Sequence, residues 1–431
     1  MLGIYVYLIT LFVRPQDWPG MLVYNWPINS ILLPILFLIG MATRKKPEGT
    51  TGMPQHIIML ILLFFAFASN IANHDTALAN EQTHLFMIKI VVFYIFFYLP
   101  DSFEKLRSIG FFLILMALFI SFQGMYQTST GTGWAEQGMH GHAAFNSMEE
   151  MMALLGYDEP RTFWIGDWDG PNVMALCYVM AAPYCLEYMF SSEPMLKKLF
   201  GAAAFACMII GVQQSGSRGG FLGLLAGGML FILLRFGVGK GVILAGVLVI
   251  GVGTFAMGGR MGEMNTNEAS ARERSWLWER GMDWAREKPL FGMGKGSFAN
   301  HAHIIAHSNY VENMAEIGFA GFYFFIAALY FSGKAALLSF QRRLSDGLPR
   351  SMFHVSRAAF ISLCAFCVST FFVTMQLEIL FMILGICCAC LMMHEDMVKD
   401  FRVSLMDLTR IAALCIMIYM AVYLIAVKEV I

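Results

Sequence analysis

Charge is scarce in this chain. Asp, Glu, Lys and Arg supply 14% of its 431 residues, against about 25% in a typical soluble domain. With 58% hydrophobic residues and a mean hydropathy of +0.62, that scarcity excludes an ordinary water-soluble fold and implies a polytopic membrane protein. A surplus of positive charge is also missing. The net charge is −1, so no basic face exists to neutralise phosphates and no nucleic-acid partner is expected. Loop cysteines are lacking too: Cys177, Cys185, Cys207, Cys364, Cys367, Cys387, Cys388, Cys390 and Cys415 all fall in apolar runs, so no disulfide framework is suggested. Cys364 and Cys367 have redox spacing but sit mid-span, where thiols behave as small hydrophobes. Residues 2–13 have no basic segment before them and no small-residue cleavage site after them, so the first span is expected to be retained. No internal repeat stands out.

Long apolar runs are what the chain has in abundance. A helix needs about 20 mostly apolar residues to cross a bilayer. Candidate spans fall near 2–13, 28–43, 56–73, 84–100, 108–126, 171–191, 198–214, 219–234, 241–258, 312–333, 355–374, 379–394 and 408–427. This predicts an all-α fold of about 12–13 transmembrane helices, the first of them short, tilted or extended past Arg14. Lysine and arginine mark alternate short connections: Arg44 to Lys46, Lys105 with Arg107, Lys197-Lys198, Arg235 with Lys240, Arg342-Arg343, and Lys399 with Arg402. These should be cytoplasmic.

That orientation leaves two long segments outside. The expected order is N-terminal spans over 1–126, a first periplasmic segment over 127–169, central spans over 170–258, a large periplasmic segment over 259–311, and C-terminal spans over 312–431. Residues 270–288 read as an amphipathic helix, with Trp276, Trp278 and Trp284 suited to the headgroup zone.

Four motifs carry polar chemistry at span ends on the outer side. Ser215 to Gly220 includes Ser217 and Arg218 and opens a span. A helix N-terminus beside an arginine makes an anion site; an arginine snorkelling to headgroups fits equally. The stretch 270–278 places Arg274 and Trp278 four apart, on one helix face, with guanidinium geometry suited to phosphate. A salt-bridged surface helix is the plainer alternative. The glycine run from Pro289 to Gly296 has no preceding strand and no lysine–serine/threonine pair, so a Walker-type loop is not expected.

His307-Ser308-Asn309-Tyr310 precedes another span. Asn309 and Glu312 have capping spacing, and His307 just before the helix is either a general base or an interfacial histidine. His301, His303 and His307 lack an acidic or cysteine ligand at convincing spacing, so no metal is expected. Asp169-Gly-Pro-Asn172 starts a further span, with proline at a favoured first position; Asp169 is a capping residue or, with Arg161, a substrate contact. Glu378 sits at an external turn as a possible buried acid, and Lys89 reads as a snorkelling lysine near the outer end of its span.

Together these motifs resemble the O-antigen ligase/polymerase superfamily of bacterial membrane glycosyltransferases. Residues 161–322 carry the resemblance through Asp169-Gly-Pro-Asn, Ser217-Arg-Gly-Gly, Arg274-x-x-x-Trp278 before Pro289, His307-Ser-Asn-Tyr, and Glu316-Ile-Gly-Phe-Ala-Gly321. Spacing over 270–321 is closest to the O-glycosylation ligases associated with exosortase systems. The resemblance implies a GT-C-like architecture and metal-independent, cofactor-free transfer of a glycan from an undecaprenyl-diphosphate carrier on the periplasmic face of the inner membrane. The acceptor would be a lipid, glycan or protein hydroxyl. It gives Arg218 and Arg274 as diphosphate binders and His307 as the base. Arg161, Asp169, Asn172, Ser217, Arg272, Trp278, Arg280, Asn309, Tyr310 and Glu316 are candidate substrate contacts. One departure stands out: many relatives place histidine directly before asparagine, whereas Ser308 intervenes here.

Fixed cations suit a diphosphate leaving group, and a sugar hydroxyl gains from a neighbouring base. A polymerase would use the same chemistry on a glycan acceptor. A transporter or flippase of polyprenyl-linked sugars is the alternative of a different class, and it expects charges near the bilayer midplane.

Overall fold

The computed structural model describes residues 1–43, 47–139, 161–256, 269–342, 350–375 and 378–427. Among them the regular elements are all helical. The N-terminal helices are α1 (Leu2–Phe12), α2 (Ile28–Thr43), α3 (Pro54–Ala72), α4 (Thr76–Tyr98) and α5 (Phe103–Thr130). The central ones are α6 (Pro171–Met189), α7 (Met195–Ser215), α8 (Arg218–Ala256) and α9 (Ala269–Glu287). The last are α10 (Phe298–Ala302), α11 (Asn309–Gln341), α12 (Arg350–Ser369), α13 (Glu378–Leu391), α14 (Glu395–Asp400) and α15 (Leu405–Val427).

Six helices are long and apolar enough to cross a membrane, within α3, α5, α7, α8, α11 and α15, and three shorter apolar ones lie in α2, α12 and α13. The chain is an all-α polytopic membrane protein. Hydropathy alone overstated some spans. At 11 residues, α1 rises only about 16 Å, and Arg14 after it turns left-handed at φ 56°. Arg14 pairs with Asp17 and Asp167, so the helix does not extend past it. Conversely α4 begins at Thr76, which puts Lys89 roughly 20 Å along the helix from its start. There it lines a small internal cavity.

The chain divides into two compact units. The first comprises Met1–Leu36, Ser102–Met264 and Arg343–Ser369. Its centre is α6, buried along nearly its whole length against α5, α7, α8 and α12. Small residues permit this closeness: a Cβ at Gly211 would meet the Tyr178 ring at 2.5 Å, and one at Gly223 would meet Ser369 and Val179. The indole N–H groups of Trp164 and Trp168 donate to the carbonyls of Phe12 and Leu11, both at 2.9 Å. They satisfy carbonyls that the end of α1 leaves without helical partners. A buried ion-pair cluster, Glu187 with Arg357 and His354, ties α6 to α12.

The second unit comprises Phe37–Asp101, Asn265–Arg342 and Thr370–Ile431. Here α11 is central, packed on α3, α9, α13 and α15. It is broken at Gly318, whose φ of 68° and ψ of 178° are not helical and belong to a region open essentially to glycine alone. The break frees two carbonyls, and the 289–296 loop takes them up. Met293 N–H donates to Ala315 O at 2.8 Å and Gly294 N–H to Glu316 O at 3.0 Å, while Phe319 N–H turns to Pro289 O at 2.8 Å. The glycine run is thus a clamp on α11. Close backbone approach explains its glycines: a Cβ at Gly292 would lie 2.5 Å from Ala315 O.

Candidate active site

Polar side chains gather at the entry to α8 in the first unit. Ser217 is fully buried and caps that helix, accepting the Gly220 N–H at 3.1 Å. Gly216 ends α7 in a left-handed turn, and the chain passes directly into α8 with Arg218 half-buried at its first position. Arg161 lies beneath this turn, buried. Its Nε–H donates to Ser215 O at 2.7 Å and an Nη–H to Asn172 Oδ1 at 2.8 Å. Arg161, Asn172 and Ser217 therefore hold the turn that carries Arg218. Asp169 is exposed beside Gly170 and Pro171, which begin α6 as the sequence predicted.

The second unit holds Arg274 and His307. Arg274 and Trp278 share a face of α9, and both point to the segment before α11. Trp278 is buried; its indole N–H donates to Ala306 O at 3.0 Å, and its ring packs on Phe371 and Phe372. Arg274, half-buried, acts electrostatically on His307. Burial first, and that guanidinium second, push the His307 imidazole down from its ordinary value near 6.5 to about 4. His307 itself is half-buried in a left-handed conformation, φ 52°, unusual for a residue with a Cβ.

Two local expectations change. The cap of α11 is Ser308, accepting the Val311 N–H at 3.5 Å, one residue earlier than Asn309. Asn309 instead clamps the 370–375 segment: its amide bonds Met375 at N and O, at 2.6 and 2.9 Å, and its N–H donates to Thr370 O at 3.0 Å. The three tryptophans of α9 do not all face a headgroup layer. Trp276 is 48% exposed, Trp278 is buried, and Trp284 meets Phe298 edge-on and lies tilted against His301.

Other candidate residues fall into two groups. Arg272 and Arg280 are exposed on α9, Arg280 lying over the Trp276 ring at 5.9 Å. Tyr310 and Glu316 are buried: Tyr310 lies tilted against Phe371, and Glu316 accepts from Lys295 Nζ at 2.5 Å and from Phe298 N–H at 3.1 Å. Both lie in the packed interior of the second unit. Lys295 escaped notice in the sequence because it sat inside the glycine run. Lys89 and Lys295 line a small cavity with Asn313 and Ile317. Glu378, part-exposed, opens α13. Among the described residues no group of three His, Cys, Asp or Glu is placed to hold a metal.

Residues 203–326 match the family model described as O-Antigen ligase. The match begins in α7, takes in Arg218, Arg274 and His307, and ends within α11. No curated protein matches the chain.

Proposed function

We propose that the chain, whose residues 203–326 match the O-Antigen ligase family model, moves a glycan from an undecaprenyl-diphosphate carrier to an acceptor hydroxyl at the periplasmic face of the inner membrane. The nearness of the Arg274 guanidinium to the half-buried His307, both inside the matched segment, carries this proposal. The acceptor oxygen attacks the anomeric carbon, and its proton passes to the imidazole. The bond from that carbon to the diphosphate oxygen breaks, and undecaprenyl diphosphate leaves with the electron pair. Arg274 stabilises the growing charge on the diphosphate without needing to reorganise. Arg218, inside the same matched segment, is assigned a diphosphate-binding role as well. The amphipathic α9 would lie beside the polyprenyl tail.

Deletion of the gene should remove one glycoconjugate and leave its carrier-linked glycan to accumulate. Arg218→Ala, Arg274→Ala and His307→Ala should insert normally yet fail to restore it. Full restoration by His307→Ala would refute the base assignment. Chain growth from carrier-linked glycan alone, with no added acceptor, would identify a polymerase in place of a ligase. One observation favours a different class: Lys89, Lys295 and Glu316 place charge among the spans of the second unit, as transporters often do. Carrier translocation in liposomes that survives His307→Ala would establish that class instead.

A further inference from the structure

His307 needs outside support to stay where it is. Its left-handed backbone costs about 1–2 kcal/mol for a residue with a Cβ, and the bonds that hold it are made by its two neighbours. Ala306, fully buried, is fixed through its carbonyl by the Trp278 indole. Its backbone is also hydrogen-bonded to the Glu312 carboxylate. Ser308, equally buried, donates its N–H to Thr374 Oγ1 at 3.1 Å, and the Thr374 hydroxyl donates in turn to Glu312 Oε2 at 2.8 Å.

One carboxylate thus meets both sides of the histidine, directly on one side and through a threonine on the other. A capping box normally returns a side chain from the first turn of a helix to the N–H of its own cap residue. Here Thr374, brought in from the 370–375 segment, completes the link between Glu312 and Ser308. Asn309 holds that segment in place by its two bonds to Met375.

We infer that Glu312, acting with Thr374, is a positioning residue that sets the backbone of His307 and so aims its imidazole at the acceptor hydroxyl. Glu312 does not touch substrate in this scheme. It acts through backbone groups, and its influence is on turnover. Because the inference rests on His307 being the base, its test must separate the two claims.

The donor is the carrier-linked glycan that accumulates in a strain lacking the gene, supplied to membranes containing equal amounts of inserted protein. Thr374→Val removes the hydroxyl at nearly constant shape. It should lower kcat by about 10–100-fold, the scale set by small misplacement of a catalytic group, while KM for the donor stays within about twofold. Thr374→Ser should restore most of the rate, since it returns the hydroxyl. Glu312→Gln keeps the size but puts an N–H₂ where two donors already converge, and it too should act on kcat. The double variant Thr374→Val with Glu312→Gln should be no slower than the worse single, because both break one chain of bonds.

His307→Ala is measured alongside. If it is inactive while Thr374→Val and Glu312→Gln run at the wild-type rate, the positioning role is overturned and the base assignment stands. If His307→Ala keeps the wild-type rate, both fall together. A rise in KM in place of a fall in kcat, or failure of Thr374→Ser to restore turnover, also overturns the inference.

Discussion

The Trp278 indole N–H donates to the Ala306 carbonyl at 3.0 Å, so the helix that presents Arg274 also grips the residue before His307. Arg274 and His307 are therefore set by a common element, α9. A shift of that helix moves both.

Trp278→Phe keeps the ring against Phe371 and Phe372 and removes only the donor. The Ala306 carbonyl is then buried without that partner, which costs about 1–3 kcal/mol. Thermal unfolding in detergent should show the loss, and turnover should fall by more than donor binding does.

The depressed titration of His307 has consequences for pH. With burial and Arg274 pushing its imidazole down to about 4, the proposed base should be neutral across the physiological range. The acid limb of kcat/KM, which reports the free enzyme, should lie well below 6. Bound diphosphate would set negative charge against Arg274, so the acid limb of kcat should lie higher than that of kcat/KM. For stability the folded value is below the unfolded one, so the unfolded chain takes up its proton first. The contribution of His307 to stability should be full above about 6.5 and fall as pH drops toward about 4. Unfolding of the protein and of His307→Gln, compared across that window, should show the variant gaining relative to wild type as pH falls.

Gly318→Ala places a Cβ 2.6 Å from Pro289 O in a backbone conformation that alanine scarcely adopts. The clamp between the 289–296 loop and α11 should open, with loss of several kcal/mol of stability. The yield of folded protein on size-exclusion chromatography is the measurement.

Lys295→Met leaves Glu316 buried without its ammonium partner and should cost roughly 3–5 kcal/mol. Adding Glu316→Gln removes the stranded charge and still offers an acceptor to the Phe298 N–H. The double variant should therefore unfold at a higher temperature than Lys295→Met alone.

Much of this was legible in the chain itself. Apolar runs of spanning length and scarce charge identify an all-helical membrane protein, since a bilayer offers no water to unsatisfied backbone groups. The start of α6 at Pro171, the opening of α8 at Arg218 and the common face of Arg274 and Trp278 follow from local rules of proline, glycine and helical period. Hydropathy left open whether α1 runs past Arg14, because it counts apolar residues and does not register where a helix stops.

Composition, span pattern and the order of the polar motifs are properties of the sequence alone, because each depends on residues within a few turns of one another. Tertiary packing decided that Asn309 clamps a distant segment while Ser308 caps the helix, that the glycine run braces a broken α11, and that Trp278 faces Ala306. Those choices rest on partners far apart in the chain, Ser308 and Thr374 among them. A hydrogen bond between such residues forms only when folding has brought their backbones within about 3 Å, a proximity that no local pattern encodes.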